Sequence, residues 1–401
     1  MEDRLPLVDM TDPELWRQPG ARFAPWFEEG VPAGRVASSP SVMLFRHADV
    51  REALCDPRLG AMGVRAFEAL GWKEGPFVDW MRHNIVALDP PAHTRLRALV
   101  GRAFTPRRVA ELAPLARSVA HGLADDMAEA REVDFYGAFA QRLPLHIICA
   151  MLAIPGVDHA QMQRWTEAIN VATGIPRPSA REAADEAVQG VVDYVKGLID
   201  ERRKSPGDDL LSALIDSQEE GARLSSEELP VMVIQLLVAG HETTRNLIGN
   251  GLFTLMQHPD ELRSLRQDRS LVPNAVEEMI RFEPSLIWVS RIPREDLVLG
   301  GVEIVGDELL LLNLAAANRD PAVHADPQRF DVRRGDIQVL SFGMGTHYCI
   351  GASLARLEGR IAFEVLLDRF SDIQFAGDTP RFAAYTALRT LESMELRLTP
   401  A

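Results

Sequence analysis

The hydrophobic and polar positions along the chain predict a mostly helical protein. From about residue 92 to residue 282, apolar residues recur at intervals of three and four, which is the period of an amphipathic helix. Residues 35–46 and 296–313 read instead as short apolar strands around glycine turns, and residues 391–398 alternate like a further strand. The pattern therefore predicts a mostly α fold with small peripheral β-sheets.

The longest predicted helix covers residues 225–258. Ser225 and Glu228 have the spacing of a capping box, and Pro259 ends the helical pattern. The segment LPVMVIQLLVAG is apolar on nearly every side, yet it is too short to cross a bilayer. We therefore expect a helix that is buried in the centre of the protein.

Composition narrows the class of protein. The 401 residues contain no repeat, low-complexity tract or linker, which predicts one domain over residues 1–401. A net charge of −15 argues against general binding to nucleic acid or to a membrane surface, and we expect a monomer. The N-terminal residues have no apolar core, so no signal peptide or anchor is expected. Three cysteines suit a reducing cytoplasm.

The stretch SFGMGTHYCIGASLARLEG holds a lone cysteine, Cys349, just before a strongly helical pattern over residues 350–370. A single cysteine is usually a small buried hydrophobe. Here glycines allow tight turns and close approach to a flat object, and the helix N-terminus favours the thiolate. The local sequence lacks the partners of a zinc or iron–sulfur site. An axial metal ligand fits this pattern better than a nucleophile.

A second candidate is VAGHETTRN, inside the longest predicted helix. Thr243 could simply bond back to the carbonyl of Ala239, and Glu242 could be a surface carboxylate. Alternatively, an acid, an alcohol and a turn weakened by Gly240 in one apolar place favour proton delivery. The residues alone leave both interpretations open.

The segment FGMGTHYCIG resembles the haem-binding loop of the cytochromes P-450, Phe-Gly-x-Gly-x-His-x-Cys-x-Gly, at all six defined positions. The resemblance extends over residues 49–398 and points to the soluble bacterial class. It implies a cytochrome P-450 fold and haem b as cofactor. Cys349 would be the thiolate ligand of the iron, Phe342 would shield the sulfur, and Gly343 and Gly351 would let the loop lie against the porphyrin.

The resemblance also implies roles elsewhere in the chain. Glu242 and Thr243 would be the acid–alcohol pair on the distal side of the haem. Glu278, Arg281 and Arg329 would form a structural triad that braces the cysteine loop, although on spacing alone the first two make an ordinary ion pair.

Four residues would bind the haem propionates, although the helix that carries the first two could equally be a solvated basic helix. They are His93, Arg97, Arg291 and His347. Six apolar residues would contact the substrate, although some of them could be plain core. They are Val86, Leu236, Ala239, Ile287, Val289 and Leu391.

The implied function is insertion of one oxygen atom of O2 into a small, largely apolar substrate, by hydroxylation or epoxidation. Electrons would come from a ferredoxin and its reductase, steered by a basic docking face. The residues expected on that face are Arg95, Arg102, Arg107, Arg108, Arg356 and Arg360. Two alternatives stay open: a peroxide-driven haem–thiolate enzyme, and a non-catalytic haem-binding or sensor protein.

Overall fold

The structure is a computed structural model that describes residues 5–37, 39–101, 104–173, 177–219, 224–384 and 386–401. Helices dominate these residues. In chain order they are α1 (Pro13–Arg17), α2 (Ala24–Glu28), α3 (His47–Cys55), α4 (Arg65–Ala69), α5 (Pro76–His83), α6 (Ala92–Gly101), α7 (Pro106–Glu111), α8 (Ala113–Ala130), α9 (Arg142–Met151), α10 (His159–Thr173), α11 (Arg181–Lys204), α12 (Leu210–Glu219), α13 (Glu228–Gln257), α14 (Pro259–Gln267), α15 (Val272–Phe282), α16 (Leu314–Ala317) and α17 (Ala352–Arg369).

The strands are short. They are β1 (Leu7–Val8), β2 (Gly34–Val36), β3 (Val42–Leu44), β4 (Leu59–Gly60), β5 (Glu132–Asp134), β6 (Trp288–Pro293), β7 (Leu297–Leu299), β8 (Val302–Ile304), β9 (Leu310–Asn313), β10 (Phe370–Phe375) and β11 (Glu395–Pro400). One sheet has the order β1-β2-β3-β9-β6-β4, a second has the order β10-β11-β5, and β7 pairs with β8 alone. The predicted fold class, mostly α with small β-sheets, is confirmed.

The predicted strands are largely confirmed. Residues 35–46 include β3 and all of β2 except its first residue, Gly34, and these two strands pair antiparallel. Residues 296–313 contain β7, β8 and β9. The C-terminal prediction was placed too early, because β11 begins at Glu395 and not at Leu391. Leu391 makes an isolated bridge with Phe382 instead.

Helix α13 matches the longest predicted helix, and its first turn has the predicted capping box. The backbone N–H of Ser225 donates to Oε2 of Glu228 (2.8 Å), and the backbone N–H of Glu228 donates to Oγ of Ser225 (3.1 Å). These reciprocal bonds satisfy donors that a helix start leaves without partners. Among the residues described above, none of the helices combines the length and the apolar composition that crossing a membrane requires.

Contacts divide the chain into two compact units. One unit contains residues 1–60, 120–140 and 243–401 and includes all the strands given above; the other contains residues 61–119 and 141–242 and is helical. The boundary falls inside α13, between Glu242 and Thr243. The prediction of one domain over residues 1–401 stays a prediction.

Candidate active site

The loop around Cys349 has the turns that its glycines predict. Gly343 and Gly345 have φ angles of +66° and +64°, a left-handed conformation that favours glycine. A Cβ atom on Gly345 would lie 2.9 Å from the carbonyl oxygen of Leu54. The backbone N–H of Cys349 donates to the carbonyl of Phe342 (2.8 Å), which closes the loop just before α17.

The three cysteines lie in different surroundings. Cys149 is buried, and burial raises the pKa of its thiol to about 12, so it stays protonated and inert. Cys55 is exposed at the end of α3. Cys349 is half-buried, and every residue from 341 to 351 is half-buried or exposed, between buried Leu340 and Ala352. The loop therefore presents an open, glycine-rich surface with one thiol.

Hydrogen bonds attach the start of this loop to the body of its unit. The Ser341 hydroxyl donates to the carbonyl of Ile280 at the end of α15 (2.7 Å), and the side-chain amide of Asn318 donates to the Ser341 hydroxyl (2.7 Å). Oδ1 of Asn318 accepts from the backbone N–H of Leu340 (2.8 Å). Asn318 is fully buried, so this anchor is shielded from water.

Phe342 is held by a cation. The guanidinium of Arg356, on α17, lies 4.4 Å from the centre of the Phe342 ring. The same guanidinium donates to Oε1 of Glu277 on α15 (2.5 Å). The contact with Arg356 therefore fixes the orientation of the Phe342 ring within the cysteine loop.

The predicted structural triad is partly wrong. Glu278 and Arg281 are fully buried and form a two-pronged ion pair (2.6 and 2.8 Å). The prediction is wrong for Arg329, because its side chain is 62% exposed and its Nη2 lies 3.9 Å from Oδ2 of Asp331. The second cation on Glu278 is Arg334, whose Nε donates to Oε1 (3.1 Å) and whose side chain is 10% exposed.

The ion pair reaches the cysteine loop through Asn318. Nη1 of Arg281 donates to the carbonyl of Asn318 (3.1 Å), the residue whose side chain holds Ser341 and Leu340. Arg329 contributes a backbone carbonyl, which accepts from Arg281 (3.1 Å) and Arg334 (2.7 Å). The bracing role therefore falls on Glu278, Arg281 and Arg334.

Arg334→Ala is expected to lower the free energy of unfolding by about 1.5–3 kcal/mol, because a buried carboxylate loses one charge-assisted bond and keeps Arg281. Arg329→Ala removes only an exposed side chain and should change it by less than about 0.5 kcal/mol. Urea unfolding of both variants measures the difference. Equal destabilisation would contradict the assignment of Arg334.

The middle of α13 is buried except along a narrow accessible stripe. From Met232 to Leu252 every described side chain is buried except at Ala239, Gly240 and Thr243. Ala239 and Thr243, four residues apart, share one helix face, while Gly240 is packed closely by α9. Ala239 and Thr243 are therefore the positions at which this part of α13 is accessible to a ligand.

Gly240 has a packing role that its helix propensity did not reveal. A Cβ atom at this position would lie 2.8 Å from Cγ1 of Ile148 on α9. Close approach of α9 therefore requires glycine here, whatever its effect on the helix.

The two residues of the predicted acid–alcohol pair differ in burial. Glu242 is 3% exposed, and its Oε1 lies 3.0 Å from Nε2 of His241. Thr243 is half-buried, and its carbonyl accepts a hydrogen bond from the hydroxyl of Ser285 (2.6 Å). The sequence analysis missed both His241 and Ser285. Only the position of His241 beside Glu242 could have indicated a role.

The predicted propionate partners lie on different elements. His93 and Arg97 are on α6, where His93 is buried and Arg97 is half-buried. Burial, and then the Arg97 cation, lowers the pKa of His93, so the ring is neutral near pH 7. Arg291 is half-buried on β6, where Nη1 donates to the carbonyl of Ser290 (2.9 Å). His347 is half-buried in a short 3₁₀ turn of the cysteine loop.

The predicted substrate contacts separate by exposure. Val86 is 54% exposed, Ala239 is exposed, and Val289 is half-buried. Leu236 is 6% exposed, one turn before Ala239. Ile287 and Leu391 are each 1% exposed.

Ile287 has a clear structural role. It belongs to a hydrophobic cluster that includes Trp16, Phe45 and Trp288. Its backbone N–H also donates to the carbonyl of Ala387 (2.7 Å). These contacts make Ile287 a core residue of its unit.

Known proteins resemble this chain over most of its length. The family model for "Cytochrome P450" matches residues 31–382. Cytochrome P450 107B1 of Saccharopolyspora erythraea is 39% identical over 94% of this chain and 94% of its own. The mycinamicin IV hydroxylase/epoxidase of Micromonospora griseorubida is 38% identical over 92% and 91%. The crystal structure of CalO2 matches with a TM-score of 0.93 at 29% identity, over 99% of this chain and 100% of its own.

The chain belongs to the cytochrome P450 family. Its activity is therefore that of an oxygen-incorporating oxidoreductase, a haem–thiolate monooxygenase, and its cofactor is haem b. The residues present fit that cofactor: the cysteine loop offers a thiol on an open glycine-rich surface, and α13 is open along one stripe. Among the described residues, His, Cys, Asp and Glu form no group of three or more that could hold a metal ion.

Proposed function

We propose that Cys349 is the protein ligand of the haem iron and that the loop from Ser341 to Gly351 supports the porphyrin. The supporting observation is the open loop surface, on which Cys349 is half-buried while Cys149 is sealed in the core. When bound, haem supplies the activation of O2, and a thiolate ligand favours O–O cleavage. Phe342, held by Arg356, shields the sulfur from water.

Glu242 and Thr243 deliver protons. Thr243 carries a hydroxyl on the open stripe of α13, and Glu242 is the adjacent buried acid. The bond from Ser285 to the carbonyl of Thr243 fixes the backbone that carries the hydroxyl. A hydroxyl can both accept and donate a proton, so Thr243 can pass on a proton that Glu242 provides.

The haem propionates are bound by Arg97 and Arg291, with His93 and His347 as hydrogen-bonding partners. His93 acts as a neutral donor, since burial lowers its pKa. Charge-assisted bonds from arginine to carboxylate supply most of the attraction.

Arg97→Ala and Arg291→Ala are each expected to lower haem retention, because each leaves a propionate without a charge-assisted bond of about 1.5–3 kcal/mol. Arg95→Ala is the matched control, since Arg95 pairs with Glu228 at the start of α13. The measurement is the ratio of haem absorbance to protein during transfer of haem to apomyoglobin. Equal haem loss from all three variants would indicate general unfolding and would contradict the assignment.

The substrate is an apolar organic molecule that contacts Val86, Leu236, Ala239 and Val289. Ile287 and Leu391 are covered by protein and belong to the second layer around the substrate. The proposed reaction is hydroxylation or epoxidation; the relative from Micromonospora griseorubida is named for both reactions.

A ligand screen for a change of haem spin state identifies substrates. Product formed under ¹⁸O2 then carries one labelled oxygen if the chain is a monooxygenase.

Electrons come from a ferredoxin and its reductase. Arg107 and Arg108 are exposed on α7, and Arg360 is half-buried on α17. Four of the predicted cations have acidic partners, which weakens the positive field: Arg95, Arg107, Arg356 and Arg360. Arg102 lies outside the described residues.

The rate of reduction by an acidic ferredoxin is expected to fall as ionic strength rises, because salt screens attraction between exposed charges. Arg108→Glu should slow reduction at low salt, while Arg35→Glu, an exposed cation on β2, should not. Stopped-flow spectroscopy measures both. A rate that is indifferent to salt and to Arg108→Glu would contradict the basic docking face.

The first alternative that the sequence left open is a peroxide-driven haem–thiolate enzyme. It has no need of an acid–alcohol pair, so Glu242 and Thr243 favour the route that uses O2. A non-catalytic haem sensor has no need of that pair either. Turnover with a ferredoxin system and O2 that is at least as fast as turnover with peroxide identifies a monooxygenase. Faster turnover with peroxide identifies a peroxide-driven enzyme, and no turnover with either identifies a sensor. We further propose a monomer in the cytoplasm, a reducing compartment that suits a chain with three cysteines.

A further inference from the structure

Gln235 is the one polar residue in the apolar run of α13 over residues 229–240. An amide in such a place costs free energy unless hydrogen bonds satisfy it. Gln235 is 8% exposed, and Oε1 of its side chain accepts a hydrogen bond from Nδ2 of Asn84 (2.5 Å). Asn84 is completely buried and caps the 3₁₀ turn Ile85–Ala87, which follows α5. Two buried amides are therefore paired beside α13.

The orientation of both amides follows from one backbone N–H. The backbone N–H of Val86 donates to Oδ1 of Asn84 (3.1 Å), and a backbone N–H can only donate. The oxygen of the Asn84 amide is therefore on the side of Val86, and its nitrogen faces Gln235. Because that nitrogen donates, the atom of Gln235 that meets it is the oxygen. Nε2 of Gln235, with its two hydrogens, is left on the branch that does not meet Asn84.

This nitrogen of Gln235 has no protein partner within the residues that the structure describes, because the bond to Asn84 is the one hydrogen bond of the side chain. It is also not sealed from solvent, unlike the unpaired donors Nε1 of Trp80 and Nδ2 of Asn170. An amide nitrogen that is oriented, unpaired and accessible can donate to a ligand oxygen or to a water molecule.

Gln235 lies on the accessible face of α13. Positions four apart on a helix lie above one another, so Gln235 shares a face with Ala239, which is exposed. Leu236 is the next residue along the helix, and Val86, whose backbone holds Asn84, is 54% exposed. All five residues belong to the helical unit of residues 61–119 and 141–242. Three of the proposed substrate contacts therefore lie next to the two amides along the chain or one helical turn away.

We propose that Gln235 donates a hydrogen bond to an oxygen atom of the substrate, and that Asn84 is the positioning residue that orients the Gln235 amide. The inference rests on the proposed placement of the substrate beside Val86, Leu236 and Ala239. It also names the substrate class, an apolar molecule that carries a carbonyl or ether oxygen. Apolar walls give such a molecule affinity, and one oriented donor selects molecules whose acceptor is in the right place.

The first test compares probes that differ by an oxygen function. Cyclododecanone with cyclododecane is one pair, and pentadecanolide with cyclohexadecane is the other. Titration of the haem spectrum of the holoenzyme gives each dissociation constant, and the value for the oxygenated probe is divided by that for its hydrocarbon. Gln235→Met keeps the length of the side chain and removes its polar atoms. We expect this ratio to rise about threefold to tenfold, because one neutral hydrogen bond is lost.

Asn84→Asp tests the same donor without replacing Gln235, and it serves if Gln235→Met loses haem. The carboxylate still accepts from Val86, but it offers an oxygen where Asn84 offered an N–H. The Gln235 amide then turns its nitrogen towards position 84 and its oxygen towards the ligand, so the ratio should again rise by about threefold or more. A purely structural role would weaken both members of a pair alike and leave the ratio unchanged.

Gln189→Met is the matched control, since Gln189 is an exposed glutamine on α11 whose amide donates to Asp193 (3.0 Å). It should leave the ratio unchanged. An unchanged ratio in Gln235→Met or in Asn84→Asp, whichever retains haem, would overturn the inference. Failure of both oxygenated probes to bind the unaltered holoenzyme would overturn it as well.

A second measurement needs no variant. The carbonyl stretch of ¹³C-labelled cyclododecanone bound to the unaltered holoenzyme should lie at a lower frequency than in hexane, because a hydrogen bond weakens the C=O bond. A band at the position found in hexane would overturn the inference.

Failure of the proposed function is recognised separately. Ala239→Val narrows the accessible face of α13 and should weaken both members of a pair if substrate binds there. Unchanged binding of both would reject the substrate placement itself. Weaker binding of both, together with an unchanged ratio in Gln235→Met, would retain the placement and reject the hydrogen bond from Gln235.

Discussion

Thr243→Ala is expected to consume reduced nicotinamide at nearly the normal rate while it releases peroxide in place of oxygenated product. The hydroxyl lies on the open stripe of α13, and its removal leaves the bond from Ser285 to the Thr243 carbonyl in place. The backbone should therefore stay as it is while the proton relay is lost. We expect product per nicotinamide to fall about tenfold or more.

Thr254→Ala is the matched control for that variant. Thr254 lies on the same helix, and its hydroxyl donates to the carbonyl of Asn250 four residues earlier (2.7 Å), which is the ordinary structural role of a helical threonine. Its replacement should leave the ratio of product to nicotinamide unchanged. Glu242→Gln should slow turnover more than it alters the ratio, because it removes the titrating group and keeps the shape. A normal ratio in Thr243→Ala would remove Thr243 from the mechanism.

Features that depend on neighbouring residues could be predicted from the sequence. The capping box of α13 joins residues three apart, and both of its bonds form. The glycines of the cysteine loop need left-handed backbone angles wherever the rest of the chain lies. The ion pair of Glu278 and Arg281 follows from helical spacing in the same way.

The third member of the triad could not be predicted in this way. Arg329 and Arg334 lie five residues apart outside the regular elements, and sequence distance does not say which side chain turns inward. The structure selects Arg334, because Glu278 and the carbonyls of Ala325 and Asp326 surround its guanidinium. A resemblance to a short motif identified the correct segment and the wrong arginine.

Partners that are distant in sequence were missed altogether. Ser285 reaches the carbonyl of Thr243 across 42 residues, and Thr166 reaches His241 across 75. Neither serine nor threonine stands out by composition or spacing. Buried polar groups need hydrogen-bond partners, but which residue supplies the partner depends on how the helices pack.

The central claim is that Cys349 binds the haem iron, and Cys349→Ser removes the soft anionic ligand while it keeps nearly the same shape. The variant should lose almost all monooxygenase activity. Cys55→Ser is the matched control, since Cys55 is exposed and its Sγ lies 3.6 Å from where a Cβ on Gly345 would be.

The most direct measurement is the absorption spectrum of the reduced carbon-monoxide complex. The unaltered chain and Cys55→Ser should both show the red-shifted band that gives the family its name, and Cys349→Ser should lack it. Persistence of that band in Cys349→Ser, or its absence from the unaltered chain, would contradict Cys349 as the haem ligand.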